Sequence, residues 1–270
     1  MQRAARFLIR AMAFGLLRVS RLFERAGRGL AVASLTRAEI DALTLAEWEA
    51  FGRSGPVVGP EPFAWETEFF ANHIRSGDSI LVAGAGAGRD VIPLLAAGHA
   101  VTALDIAPRA LEALSERANV RGLEVATIHA SIVDAELPRN AFDVVLFSWF
   151  CFAYLRNGEE RQCALRRSAD ALRPGGRILL SYPVARPGGS PAPRPGRTVA
   201  RILGGVVAER GDEFNVSGTA TEPSVFFTHA FVPGDIEDEA RRAGLAVAFH
   251  AQPVSGLGIA TLVRSPEAAR

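Results

Sequence analysis

The chain has 270 residues, 49% of them hydrophobic and 22% charged, and a formal net charge of +1. That length can bury one large core, and the near-neutral balance gives no basic surface of the kind nucleic acid requires. Cys151 and Cys163, without a partner pair, make no disulfide framework, and the five scattered histidines predict no structural metal.

The charge is unevenly placed. Residues 1–30 hold seven arginines against the single acid Glu24, so a basic arm precedes a mildly acidic body. Within it Leu8, Met12, Val19, Leu22 and Phe23 recur at helical spacing, with the arginines mostly opposite, and predict a cationic amphipathic helix over residues 1–33. Its longest apolar run, residues 11–17, is far below the roughly 20 residues that span a bilayer, and no small-residue cleavage site follows. Three partners suit such a helix: an anionic membrane surface, the body of this protein, or a second copy in a homodimer. All 30 basic residues are arginine in a chain rich in Ala, Gly and Pro, a bias that reads as GC-rich bacterial coding and disfavours a mitochondrial transit peptide. The expected location is the cytoplasm, with the inner face of the membrane as the place where the helix would bind lipid.

Residues 34–60 read as a helix and a linker. Thr36 and Glu39 form a capping-box pattern that opens a helix running to about Phe51, and "RSGPVVGPEP" at 53–62 supplies the linker. The main domain is expected over 61–270, entered through an amphipathic helix in "FAWETEFFANHI". Short apolar runs at 79–83, 100–104, 123–129, 142–148 and 176–182 then alternate with helical patterns near 88–97, 108–121 and 157–172. Strand and helix taking turns predicts an α/β, Rossmann-like doubly wound sheet, mostly parallel. The segment 183–232 is an insert, expected to be an acceptor or lid region, and it begins with the proline-rich "PVARPGGSPAPRPGR". A helix over 233–243 and apolar runs at 245–250 and 257–263 close the chain, with an antiparallel last strand.

The chemistry begins at "ILVAGAGAGRD", residues 80–90. A strand ending in glycines and turning into a helix brings backbone N–H groups close to a ligand. A phosphate-cradling loop would need a following lysine, which this chain lacks, and the dinucleotide fingerprint would need glycine where Arg89 stands. Asp105, at the carboxyl end of the second apolar run, can accept both hydroxyls of a ribose; as it lies just before Pro108, a helix N-cap is the competing role.

Taken in order, "ILVAGAGAGRD", "VTALDIAP", "FDVVLFSWF" and "LRPGGRILLSYP" resemble the class I S-adenosylmethionine-dependent methyltransferases over about Glu61 to Arg264. The resemblance implies S-adenosylmethionine as the cofactor. It places the methionine part against Gly84, Ala85, Gly86 and Gly88, the ribose on Asp105 with Ile106, the adenine beside Ser131 and Ile132, and Phe147 and Ser148 along the cofactor. Two departures stand out. Ser131 occupies a position often held by Asp, with Asp134 three residues on, and Ala83 and Ala85 replace side chains that commonly hold the cofactor's amino group, leaving Glu66 and Arg89 as charged candidates.

Methyl transfer from a sulfonium needs alignment and dryness, and a base only where the acceptor carries a proton. Trp149, Phe152 and Tyr154 are expected to wall an apolar acceptor pocket or face the sulfonium. His229, in the insert, is the candidate general base and Tyr182, after the fifth strand, a second catalytic candidate, while His129 is expected in the core. The function expected is methyl transfer to an oxygen of a small-molecule acceptor: a sugar, a lipid-linked compound or a secondary metabolite. A regulatory or scaffold subunit of the same fold, tethered by its N-terminal helix, is the alternative; a nicotinamide oxidoreductase is disfavoured by Arg89.

Overall fold

The computed structural model describes residues 27, 30–54, 61–185, 209–218 and 223–265. Most of the basic N-terminal segment, the middle of the linker and most of the proline-rich loop lie outside these residues. At the described end of the first segment residues 30–33 are helical, with Val32 and Ala33 buried.

The capping box holds. Thr36 N donates to Glu39 Oε2 at 2.7 Å and Glu39 N to Thr36 Oγ1 at 3.3 Å, opening α1, Arg37–Ser54. α2 spans Ala64–His73 and begins with Phe63 N donating to Glu66 Oε2 at 2.8 Å. Then β1 (Ser79–Ala83), α3 (Val91–Ala96), β2 (Ala100–Asp105), α4 (Pro108–Asn119), β3 (Ala126–His129) and β4 (Phe142–Phe147) follow. A 3-10 turn at Cys151–Tyr154, α5 (Gly158–Ala171) and β5 (Leu172–Pro183) lead to the insert. After it come α6 (Asp235–Arg242), β8 (Leu245–Val254) and β9 (Leu257–Arg264). Within the insert an unexpected hairpin forms, β6 (Asp212–Gly218) against β7 (Pro223–His229).

The main sheet has seven strands in the order β3-β2-β1-β4-β5-β9-β8. The first five are parallel, and β9 runs antiparallel to both β5 and β8. Chain order reverses between β1 and β4, the switch point at which open α/β sheets leave a crevice beyond their strand ends.

Period-2 alternation divides the core into two layers. Leu81 and Ala83 of β1, with Val145 and Phe147 of β4 and Ile178 and Leu180 of β5, pack under α5 and α6 through Leu165, Ile236 and Ala240. Ile80 and Val82, with Val144, Leu146 and Leu179, pack under α2, α3 and α4 through Phe69, Leu94, Leu111 and Leu114. The central strands are apolar on both faces because helices cover both. β3 is the exception. As an edge strand it is largely exposed, so His129 is exposed rather than in the core, and a ring nitrogen lies 3.1 Å from the Ile106 carbonyl.

Candidate cofactor and acceptor site

The start of the loop after β1 is tied down by backbone. Gly84 N and Ala85 N both donate to Leu104 O, at 2.9 and 3.1 Å, so the end of β1 leans onto β2. Gly86 has φ +51, and a Cβ there would meet nothing within 4 Å, so the loop leaves open space in front of it. Gly84 differs: a Cβ there would lie 2.5 Å from Cys151 Sγ. At Gly88 a Cβ would run into Leu114 of α4. The three glycines thus serve ligand approach, the 3-10 turn and helix packing respectively.

Asp105 joins the two sides of the mouth. Its Oδ2 accepts from Gly86 N at 2.7 Å and its Oδ1 from Ala107 N at 2.9 Å. The N-cap position of α4 belongs to Ala107, so the carboxylate orders the glycine loop as well as the helix start. Burial raises its pKa above the usual carboxylate value, partly offset by the N–H groups of Ala107, Gly86 and Ile106. Beside it the Cys151 thiol, pushed up to about 12 by burial and by the Asp105 charge, stays protonated and neutral.

The remaining expected residues are placed as follows. Ser131 forms the turn after β3, its carbonyl accepting from Asp134 N and Ala135 N, while Ile132 is buried in the core and Asp134 is exposed. The Phe147 ring is fully buried, edge-on to Phe152 at 5.4 Å, so only its backbone borders the cleft. Ser148 N donates to Ala83 O at 3.0 Å, and its hydroxyl donates to buried Asp90. Trp149 and Phe150 follow with φ of +27° and +59°, a strained turn at the end of β4.

Arg89 is the residue whose environment sequence spacing could not supply. It is 7% exposed, pairs with Glu66 and with Asp90, and lies over the rings of Phe63 (5.5 Å) and Trp149 (5.1 Å). Burial lowers its pKa, opposed by the Asp90 charge, and burial raises that of Asp90. This cluster binds α2, the glycine loop and the end of β4 together next to a small cleft lined by Trp65, Glu66, Phe70 and Ser181.

At the insert, His229 Nδ1 lies 2.7 Å from Asp212 Oδ1 across the hairpin, and both side chains are buried. Asp212 is the partner that sequence reading missed, because the pairing of β6 with β7 brings it to His229 from 17 residues away. Glu209 brings a third ligand-type oxygen within 4.8 Å of them. The group already has its own cation: Arg161 donates to Glu209 at 2.9 Å and to Glu239 at 2.8 Å. It is an ion-pair network joining the hairpin to α5 and α6. β7 also packs against α1 and the 3-10 turn, where Trp48, Tyr154 and Phe226 meet with centroids 4.9 to 5.7 Å apart.

Tyr182 lies elsewhere, buried over Gly258, its hydroxyl hydrogen-bonded to His250, which in turn lies 3.0 Å from Glu237. Burial, with the Glu237 charge, raises its pKa.

Residues 80–176 match the methyltransferase domain family. A demethylmenaquinone methyltransferase of Tropheryma whipplei is 33% identical over 40% of this chain and 42% of its own length. The mitochondrial ubiquinone biosynthesis O-methyltransferase of Schizosaccharomyces pombe is 28% identical over 52% and 51%. The chain thus spans about half the length, or less, of these curated relatives. The fold matches the CcbJ methyltransferase of Streptomyces caelestis with a TM-score of 0.60 at 15% identity, over 80% of this chain and 96% of that one. Over residues 80–176 the chain is similar to the methyltransferase domain family, and the strand order around that segment is shared with the fold of solved methyltransferases.

Proposed function

We propose that the protein transfers a methyl group from S-adenosylmethionine to an oxygen of a small-molecule acceptor: a sugar, a lipid-linked compound or a secondary metabolite. The observation that carries this reading is the open cradle at Gly86, closed on one side by a carboxylate that already holds the loop. A nucleoside with an uncharged sugar and a short amino-acid tail fits a loop that has neither the lysine nor the glycine pattern a diphosphate needs. The named acceptors of the two curated relatives, demethylmenaquinone and a compound of ubiquinone biosynthesis, support a small-molecule acceptor.

When bound, S-adenosylmethionine supplies an electrophilic methyl on a sulfonium. The chain's own residues do the rest. Asp105 would receive ribose hydroxyls, Ile106, Ser131 and Ile132 would border the adenine, and the loop Gly84–Gly88, open at Gly86, with Ser148 would hold the amino-acid tail. The Glu66–Arg89–Asp90 cluster holds α2 against the end of β4 and keeps water out. His229, held by Asp212, would carry its proton on Nδ1 and leave Nε2 free to take one from an acceptor hydroxyl. Tyr182, backed by His250 and Glu237, is a second acid–base candidate with a path to the surface. Residues 209–218 and 223–232, described parts of the insert, would form the acceptor side.

Calorimetric titration with S-adenosylhomocysteine, followed by methyl transfer to a panel of hydroxylated small molecules, tests the reading. Absence of binding overturns it, and binding without turnover on any acceptor favours the scaffold alternative. We place the protein in the cytoplasm, its N-terminal arm at an anionic membrane surface or a second copy. Among the described residues no helix is long and apolar enough to cross a membrane. Flotation with anionic vesicles, comparing the full chain with one starting at Thr36, separates the two partners.

A further inference from the structure

α1 packs on α4 and on β7. From it Glu49 reaches down toward the start of α4, its side chain 18% exposed. Its nearest cation is Arg109 Nε, at 3.6 Å from Oε2, too far for a hydrogen bond. Among the described residues that buried Oε2 receives no hydrogen bond at all. Four residues before Arg109 stands Asp105, whose oxygens accept from Gly86 N and Ala107 N, with the Ile106 N–H also acting on the carboxylate. Each carboxylate oxygen can accept more than one donor. Two carboxylates therefore lie near the start of α4, and their charges disfavour each other, Glu49 adding to the rise in the Asp105 pKa.

A buried acceptor with no donor, beside a second carboxylate, is costly unless something supplies O–H or N–H groups. A vicinal diol supplies two O–H donors about 3 Å apart, and carries no negative charge of its own. We infer that Glu49 is a second carboxylate of the nucleoside site, so that α1 and Asp105 hold the two ribose hydroxyls between them and α1 closes over the cofactor. The inference rests on the methyltransferase reading and assigns Glu49 a binding role. A plain surface ion pair with Arg109 is the alternative.

The test is calorimetry of the full chain with S-adenosylhomocysteine and with its 2′-deoxy and 3′-deoxy analogues. Glu49→Gln should weaken binding of the intact nucleoside about tenfold and lose most of that effect against one of the deoxy analogues, the one lacking the hydroxyl Glu49 holds. Arg109→Gln removes the ion pair and spares the carboxylate; it should leave binding within about twofold. Equal affinity of wild type and Glu49→Gln, or the same loss against every analogue, overturns the inference. So does an equal loss in Arg109→Gln. Melting curves of both variants without ligand show whether either has failed to fold; should Glu49→Gln not fold, Glu49→Asp, which retains the charge but shortens the reach, replaces it with the same expected loss. No binding by the wild type would instead overturn the methyltransferase reading itself.

Discussion

At the ends of β1 and β2 the candidate site is mostly backbone ordered by one carboxylate, whereas in the β6–β7 hairpin it is made of side chains. The glycine loop presents N–H groups fixed by Leu104 O and Asp105, and its geometry follows from residues that have no Cβ. The hairpin depends on His229 and Asp212 meeting across two strands, and on Arg161 reaching Glu209 from another helix. Backbone sites suit a ligand that never changes, such as a cofactor. Side-chain sites can be altered one residue at a time, which suits the proposed acceptor side.

The largest effect should come from the hairpin. If His229 takes the acceptor proton, His229→Gln should lower kcat on the order of 10²- to 10⁴-fold and leave S-adenosylhomocysteine affinity unchanged by calorimetry. Asp212→Asn should reproduce part of the loss by freeing the ring to turn. Unchanged turnover in both variants would make the hairpin an ion-pair structure and leave the comparison without its chemical half.

Next in size is Asp105→Ala, which removes the carboxylate from its backbone donors Gly86 N and Ala107 N and from the proposed ribose contact. Hydrogen bonds to a charged group are worth about 1.5–3 kcal/mol each, so cofactor affinity should fall about 100-fold while His229 keeps its place. A drop of only a few fold would mean that the loop, not the acid, holds the nucleoside. Smaller again is Tyr182→Phe. Losing the hydroxyl that meets His250 should cost about 1 kcal/mol of stability, read from denaturant midpoints, and an acid–base role for Tyr182 would add a drop of about tenfold in kcat.

This contrast also explains what the sequence could reveal. Leu81 and Ala83 alternating with Ile80 and Val82, the Thr36–Glu39 capping box and the glycines before Arg89 are local patterns, so the sheet, α1 and the cofactor loop were legible from neighbours along the chain. The ring stack around Arg89, the Asp212 partner of His229 and the commitment of Tyr182 to His250 depend on residues 17 to 68 positions apart, which no local period encodes. His129 was misjudged for a related reason: a short apolar run does not say whether its strand is central or at an edge. The β6–β7 hairpin was missed because its strands are half polar and read as loop.

The finest probe of the backbone half is pH. Asp105 is pushed above the usual carboxylate range by burial and further by Glu49, against the pull of three N–H groups. A carboxyl whose folded pKa exceeds its unfolded value favours the fold in its protonated form; that contribution is full below the unfolded value of 3.8 and is lost as pH rises through the raised one. Ribose hydroxyls act in the opposite sense, since they donate to the carboxylate and draw its pKa down. Binding at a pH between the free and bound values must then release a proton. Affinity for S-adenosylhomocysteine should therefore fall a few fold as pH drops through the raised value, and calorimetry in two buffers of different ionisation enthalpy should count a fraction of a proton released. The other groups around Asp105 are Cys151, which stays protonated and adds no charge, Arg109 at the start of α4, and His129 opposite it in the β2–β3 register. Removing the Glu49 charge with Glu49→Gln should shift the profile to lower pH. A profile that is flat from about pH 7 down to the usual carboxylate range would mean that Asp105 titrates as an ordinary surface acid, and the distinction between a rigid cofactor half and an adjustable acceptor half would lose its main electrostatic support.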